Sequence, residues 1–200
     1  MSTTIALGGP EASTVSALQA DLAARGVRYA LANFVDLHGV CKAKAVPLDH
    51  LPAMLSGSEL FTGAAVDGVP QDVSDDEVAA LPDPASATVL PWRPDTVWFA
   101  SNLQLGGQPF EACSRNILCR VRDQAAAMGL RFNLGVETEF FVLRRGADGG
   151  LEPASAADRL DKPCYDLRGL LDNLGWLDGL VQAMNGLGWG VYSFDHEDGN

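Results

Sequence analysis

The sequence is poor in basic residues. Its 200 residues include 14 Lys and Arg against 26 Asp and Glu, which gives a formal net charge of −12 at pH 7. Nucleic-acid-binding domains carry a basic patch, and proteins that dock on anionic lipid carry basic clusters. The shortage of positive charge therefore argues against both classes, and we expect no nucleic-acid partner and no membrane partner.

Cysteine and histidine are scarce as well. The four cysteines and three histidines are scattered, with no C-x-x-C pair and no histidines at zinc-ligand spacing. No H-E-x-x-H metalloprotease motif and no G-x-x-x-x-G-K-[ST] phosphate loop occurs, and GLGWG (186–190) lacks the dinucleotide-binding spacing. These absences exclude a P-loop NTPase, leave a zinc site and a dinucleotide fold without support, and favour free thiols in a reducing compartment.

Long apolar runs are missing too. No stretch approaches the roughly 18 apolar residues of a membrane-spanning helix, and the first residues lack the basic start and apolar centre of a signal peptide. We therefore predict a cytoplasmic protein. Hydrophobic residues still make up 47% of the chain, which is enough for one or two domains with a core of their own.

The first part of the chain is predicted to be a small α+β domain, residues 13–105, after a flexible leader, residues 1–12. Apolar residues at helical spacing predict a helix over about 14–25. Alternation predicts short strands in a meander-like sheet: 27–35, 40–46, 87–91 and 96–101. The turn DLHG (36–39) is expected to join the first two strands into a β-hairpin, and LDHLPAML (48–55) is expected to be a short helix or turn. Lys42 and Lys44 alternate on the second of these and are predicted to face solvent. Residues 56–86, rich in Gly, Pro, Asp and Ser, are predicted to be irregular.

Residues 106–200 are predicted to begin a second, larger domain. Ser114 is expected to cap one helix and Asp166 to open another of about 20 residues. Alternation predicts strands over 131–145 and 189–194, with a loop between 145 and 163. The acidic cluster DHEDGN (195–200) directly after a strand is an unusual end for a domain, and we expect the chain to be a piece of a longer protein.

Two glutamates stand two positions apart in GVETEFFVL (135–143). Residues i and i+2 of a strand share a face about 6.6 Å apart, so Glu137 and Glu139 would point together and need positive charge nearby. An arginine could supply that charge, and so could Mg²⁺ or Mn²⁺, which take oxygen ligands. Glu197 could complete such an oxygen cage, or residues 195–200 could be a solvated turn. Spacing alone leaves these alternatives open.

Six stretches, in order, carry a family resemblance: FVDLHGVCKAKAVP (34–47), LFTGAAVDG (60–68), LPDPASATVLPW (81–92), SRNILCRV (114–121), GVETEFFVL (135–143) and DHEDGN (195–200). With them the chain resembles the N-terminal part of a glutamine synthetase-family ligase, most of all the type III-like glutamate–ammonia ligases and the γ-glutamylmethylamide synthetases. The resemblance implies an α+β fold: a small β-grasp-like N-terminal domain, then the start of a glutamine synthetase-type catalytic domain with an antiparallel sheet.

The resemblance also implies an activity. Family members use ATP to phosphorylate the γ-carboxylate of glutamate, and ammonia or a small amine then displaces phosphate from the γ-glutamyl phosphate. Two Mg²⁺ or Mn²⁺ ions per site would neutralise the phosphate charge. We therefore expect a glutamate–ammonia ligase, with a γ-glutamylmethylamide synthetase or a non-catalytic relative as alternatives. A metallohydrolase has less support. The chain alone is expected to be inactive, since later family motifs are missing from it.

Site residues follow from the same resemblance. Glu139 and Glu197 match ligands of one metal ion, and Glu137 matches a ligand of the second. Asp36 matches the residue that helps bind and deprotonate ammonium, Tyr165 lies near that pocket, and Glu197 borders it, so Asp36 and Glu197 are the expected catalytic residues. Family members use the aspartate in the neighbouring subunit's site, so a homo-oligomeric ring is expected. Thr62 replaces a common family aspartate, which bears on amine specificity.

Overall fold

The computed structural model describes residues 12–155 and 160–197. The predicted leader lies outside these residues, apart from its last position. The chain divides into two compact units, which meet between Asn133 and Leu134. This division differs from the predicted domain boundary at residue 105, which stays a prediction. Among the described residues, no helix has the length and apolar character needed to cross a membrane.

The described part of the first unit contains helices and strands in mixed order. The helices are α1 (Ala12–Ala24), α2 (Leu51–Leu55) and α3 (Ser114–Ala127). The strands are β1 (Tyr29–Val35), β2 (Cys41–Pro47), β3 (Glu59–Phe61), β4 (Val78–Pro82), β5 (Thr88–Leu90), β6 (Arg93–Leu105) and β7 (Gln108–Pro109). The predicted first helix, the hairpin and the short helix after it are thus confirmed.

These strands form one mixed sheet in the order β2-β1-β6-β4-β3, with β5 and β7 also paired to β6. β1 and β6 run parallel, with Tyr29 opposite Thr96, while the other pairs are antiparallel. The predicted meander is therefore wrong. Alternation along each strand shows which side is buried, but it carries no information on which strand lies next to it.

The core of the first unit lies between this sheet and the first two helices. Val97, Phe99 and Leu103 alternate along β6 and are buried, as the side-chain period of a strand requires. Leu22 from α1 and Met54 from α2 are equally buried in the same cluster. Burial of large side chains of this kind stabilises a fold by roughly 1.5–3 kcal/mol each.

A strand absent from the prediction lies inside the segment 56–86. Residues Val78–Pro82 form β4, with alternate positions buried, and they pair with β3 and β6. The Gly, Pro and Asp residues around this strand hide its short apolar alternation. The prediction of an irregular segment is therefore wrong for β3 and β4.

Helix α3 is fastened to the sheet of the first unit. The predicted cap is wrong in detail, because the N-cap position is Cys113, while the Ser114 hydroxyl donates to the Val35 carbonyl at 2.7 Å. The Asn116 amide donates to the carbonyls of Leu103, at 2.8 Å, and Phe110, at 2.9 Å. These bonds explain why the first compact unit continues past residue 105.

The described part of the second unit contains a hairpin and a long helix. The hairpin pairs β8 (Leu143–Arg145) with β9 (Leu151–Pro153), and the helix is α4 (Leu167–Gly186). The Asp166 carboxylate accepts from Gly169 N at 2.9 Å, so the predicted N-cap is confirmed. The predicted 145–163 loop is partly wrong, because it contains β9.

Two predicted strands of the second unit are wrong. Only the last residues of 131–145 are extended into a strand, and 189–194 has no strand. The only strand pairing among this unit's described residues is the hairpin, so the predicted antiparallel sheet is present as two strands. A strand is stabilised by hydrogen bonds to a neighbour, and without that neighbour side chains such as Val136 and Phe141 remain exposed.

Candidate functional site

Asp36 lies in the tight loop that joins β1 to β2. Its Oδ1 accepts hydrogen bonds from His38 N and Val40 N, both at 2.9 Å. The Asp36 backbone N–H in turn donates to the Val40 carbonyl at 3.0 Å, and Gly39 takes a φ of +78° that favours glycine. The sequence D-x-x-G thus builds a loop that holds one carboxylate oxygen in a fixed position.

The other carboxylate oxygen of Asp36 faces a lysine. Lys42 Nζ lies 3.2 Å from Asp36 Oδ2, and the Asp36 side chain is 1% exposed. Among the described residues, no group makes a well-aligned hydrogen bond to this buried Oδ2. Burial alone raises the pKa of Asp36, but the backbone hydrogen bonds from Val40 and His38 and the nearby ammonium group of Lys42 outweigh it and lower the pKa below its ordinary value. The carboxylate is therefore an anion at neutral pH.

Tyr165 stands in a strained turn of the second unit. It has a φ of +65°, in the left-handed region, where side chains other than glycine are uncommon. Such a conformation costs on the order of 1–3 kcal/mol and persists only where neighbouring contacts fix it. The Tyr165 N–H donates to the His196 carbonyl at 2.7 Å, and Asp166 N donates to the Pro163 carbonyl at 3.0 Å. The Tyr165 side chain itself is exposed.

The same contacts bring the predicted amine-site residues Tyr165 and Glu197 into neighbouring segments. A ring nitrogen of His196 lies 3.0 Å from the Pro163 carbonyl oxygen, and Cys164 Sγ donates to Glu197 Oε2 at 3.6 Å. Three separate contacts therefore join residues 163–165 to residues 196–197. This pairing of segments is a feature that the sequence did not predict.

The predicted metal ligands are not gathered into a centre. Glu137 and Glu139 lie on exposed backbone without regular secondary structure. Within residues 12–155 and 160–197, no three His, Cys, Asp or Glu side chains are placed to hold a metal ion together. No described Lys or Arg forms an ion pair with either glutamate, so the arginine alternative is not met either. The described residues do not by themselves fit a metal ion, and no chemical step is derived through one.

Lys42, which was predicted to face solvent, lies beside the predicted site residue Asp36. Lys44, two positions on, donates to the Leu60 carbonyl, and its ammonium lies 5.2 Å from the centre of the Phe61 ring. Lys44 is nevertheless exposed, as predicted, whereas Lys42 is only partly exposed and faces Asp36. The strand pairing sets Lys42 opposite Phe34, two residues before Asp36. The hairpin register could have predicted this contact from the sequence, because a tight loop brings the start of β2 back beside Asp36, the first residue of the loop.

Comparison with known proteins gives consistent results from sequence and structure, although no protein-family model matches the chain. The chain is 36% identical over 175 residues to the glutamate–methylamine ligase of Methyloversatilis universalis, covering 87% of this chain and 39% of the relative. It is 33% identical over 178 residues to a glutamine synthetase of Rhizobium meliloti, covering 88% and 40%. A glutamine synthetase of Rhizobium leguminosarum is 34% identical over 186 residues, covering 90% and 41%.

Solved structures agree. A GmaS–ADP complex matches with a TM-score of 0.83 at 35% identity, over 90% of this chain and 41% of that chain. Ligand-free GmaS matches with a TM-score of 0.77 at 30% identity, over 90% and 42%. The fold is thus the mixed α+β architecture of these ligases. The chain is a glutamine synthetase-family relative, and it spans about two fifths of the length of the relatives it matches.

Proposed function

We propose that this chain is the N-terminal part of an ATP-dependent ligase that joins glutamate to ammonia through a γ-glutamyl phosphate. The observation that carries the proposal is the Asp36 carboxylate, which is buried, ionised and fixed by two backbone N–H groups at 2.9 Å. It stands in a chain whose relatives include glutamine synthetases. A fixed anion of this kind attracts a small cation such as ammonium.

The lowered pKa of Asp36 favours a binding role for this carboxylate over a strong proton-accepting role. A general base works best when its pKa lies near the working pH, whereas the pKa of Asp36 is lowered. We therefore propose that Asp36 mainly holds the ammonium ion and that Glu197 takes part in removing its proton. Tyr165, in the segment bonded to that of Glu197, would border the same amine.

Metal ions and ATP belong to the same proposal and rest on the family resemblance. Glu139 and Glu197 would bind one Mg²⁺ or Mn²⁺ ion, and Glu137 would bind a second. Such ions neutralise phosphate charge when bound. A homo-oligomeric ring in which Asp36 serves the neighbouring subunit, and a cytoplasmic location, are further parts of this proposal, as is a β-grasp-like character of the first domain.

Methylamine is the second candidate for the amine. Glutamate–methylamine ligase is a relative at 36% identity and a GmaS structure matches with a TM-score of 0.83, which favours this alternative. Ammonium and methylammonium carry the same charge and differ by one methyl group, and a methyl group changes binding in an apolar pocket by only about 1–3 kcal/mol. The choice between the two amines therefore depends on packing around the bound cation.

A chimera tests the proposal. Residues 1–200 replace the matching portion of the glutamate–methylamine ligase of Methyloversatilis universalis, and amide formation from glutamate, ATP and Mg²⁺ is measured by mass spectrometry with ammonium and with methylammonium. We expect activity in the chimera and none in the 200-residue chain alone. In the chimera, Asp36→Asn should raise KM for the amine, and Glu139→Gln should abolish turnover.

Matched controls separate chemistry from folding. Asp148→Asn changes a carboxylate in the β8–β9 turn that has no part in the proposed site. It should leave both KM for the amine and turnover unchanged. A chimera that assembles like the parent enzyme and makes no amide with either amine contradicts the proposal and favours a non-catalytic relative. Amide formation by the isolated chain would contradict the expectation that it is only part of the machinery.

A further inference from the structure

The Asp36–Lys42 pair has an unusual arrangement for an ion pair. Asp36 Oδ1 is occupied by two backbone N–H groups at 2.9 Å, so Oδ2 is the oxygen left for a cation. Lys42 Nζ stands 3.2 Å from that Oδ2. Among the described residues, Oδ2 has no well-aligned hydrogen bond and is closed off from solvent.

The Lys42 side chain is less enclosed than the Asp36 carboxylate that it contacts. Its side chain is 36% exposed, against 1% for the aspartate, so one partner is fixed and the other borders on solvent. The fixed partner is fastened by the loop backbone, independently of Lys42. Swinging Lys42 outward would uncover Oδ2 without loosening the carboxylate.

The Lys42 ammonium group and a methylammonium ion have the same chemistry. A lysine side chain ends in an alkylammonium group with one positive charge and three N–H donors, and methylammonium is the same group without the stem. Any ammonium or small alkylammonium ion that binds Asp36 Oδ2 must therefore take the place that Lys42 Nζ holds in this structure.

We infer that Lys42 is an intramolecular competitor of the amine: its ammonium group covers Asp36 Oδ2, and the incoming ammonium or methylammonium ion displaces it. This inference rests on the proposed function, because it takes Asp36 as the amine-binding carboxylate. It adds a specificity-determining residue, since an amine that cannot outcompete a tethered ammonium group does not bind.

The test is a cation titration of the 200-residue chain, followed by NMR. The His38 and Val40 amide resonances report on Asp36 because both amides donate to its carboxylate. Methylammonium chloride is titrated into wild type and into Lys42→Met, which keeps the length of the side chain and removes the charge. We expect the dissociation constant to fall roughly fivefold in Lys42→Met, the size expected for loss of one partly exposed ion pair.

Three controls isolate the competition. Lys44→Met makes the same change in net charge on the same face of β2 and should bind like wild type. Lys42→Arg keeps a tethered cation and should also bind like wild type. Tetramethylammonium, which has the charge but no N–H donors, should bind no more tightly to Lys42→Met than to wild type.

The outcomes are distinguishable. Tighter binding in Lys42→Met that disappears in the Asp36→Asn, Lys42→Met double variant supports the inference. Measurable but equal binding in wild type and Lys42→Met overturns it and leaves Asp36 as the amine site. No binding in any variant overturns the competition, and KM for the amine in the Asp36→Asn chimera then decides separately whether Asp36 binds the amine.

Discussion

Replacing Gly169 by alanine should disturb the contacts that hold Tyr165 and Glu197 in neighbouring segments. A Cβ at Gly169 would lie 2.7 Å from His196 Cδ2 and 2.8 Å from its Nε2, closer than van der Waals contact permits. The His196 ring must then shift. Its ring nitrogen contact with the Pro163 carbonyl, at 3.0 Å, and the Tyr165 N–H bond to the His196 carbonyl, at 2.7 Å, lie on the path of that shift.

The magnitude follows from two opposing effects. Alanine is favoured over glycine in a helix interior by about 1 kcal/mol, and Gly175, with nothing within 4 Å of its Cβ position, should show that gain. At Gly169 the gain is smaller, because the residue lies in the first turn of α4. Weakening one or two hydrogen bonds costs roughly 0.5–1.5 kcal/mol each. Gly169→Ala should therefore be about 1–3 kcal/mol less stable than Gly175→Ala.

The assay is urea unfolding of the two variants followed by far-ultraviolet circular dichroism, together with ¹H–¹³C spectra of the three histidine rings. We expect the His196 ring signals to move in Gly169→Ala and to stay in place in Gly175→Ala. Equal stabilisation of the two variants, with unmoved His196 signals, would refute the contact between α4 and the 196–197 segment on which this reasoning depends.

Three further predictions concern the first unit. The pKa of Asp36 is lowered in the folded protein, so the ionised carboxylate stabilises the fold fully above the unfolded pKa of about 3.9, and this stabilisation is lost as pH falls through the folded pKa. In urea unfolding, the stability advantage of wild type over Asp36→Asn should therefore shrink below about pH 4. An advantage that does not depend on pH would contradict this. Phe99→Ala, at a fully buried position, should lower the free energy of unfolding by about 3–5 kcal/mol in the same measurement. Trp92→Ala, at a 67% exposed position, should change it by no more than about 0.5 kcal/mol. Equal effects would rule out the assigned core. Arg115→Ala loses hydrogen bonds to the Asp83 carboxylate at 3.0 Å and the Asn102 amide oxygen at 3.1 Å, and it should lower the free energy of unfolding by about 1–2 kcal/mol. Arg122→Ala loses only an exposed ion pair with its sequence neighbour Asp123 and should have an effect near zero. The reverse order would show that Arg115 does not hold α3 in place.

Local patterns in the sequence predict the hairpin from β1 to β2 correctly because every required signal is short-range. Alternation gives the two strands, and D-x-x-G gives the loop. The same signals fail for the parallel pairing of β1 with β6, in which Tyr29 meets Thr96 across a long intervening segment. Pairing of that kind depends on the whole core, and no local pattern encodes it.

The glutamates of 135–143 show the limit of alternation more sharply. The period-two pattern marks residues suited to a strand, yet a strand forms only when a neighbour supplies hydrogen bonds. Among the described residues, that support reaches only the end of the segment, where Ala154 N donates to the Val142 carbonyl at 2.9 Å. Glu137 and Glu139 therefore share a pattern in the sequence without sharing a built face in the structure.

The predicted amine-binding residues differ from the predicted metal ligands in how they are held. Asp36 is fixed by the amides of its own loop, and Tyr165 is fixed by backbone bonds to the segment that carries Glu197. The Asp36 arrangement is complete within residues 36–40, so the local sequence encodes its geometry, whereas the Tyr165 arrangement depends on contacts with residues about thirty positions away. A metal centre instead needs three carboxylates from different elements to converge, and convergence depends on a completed sheet. The Asp36 loop should thus keep its geometry in variants that weaken distant packing, such as Phe99→Ala, and unchanged His38 and Val40 amide resonances in that variant would show it.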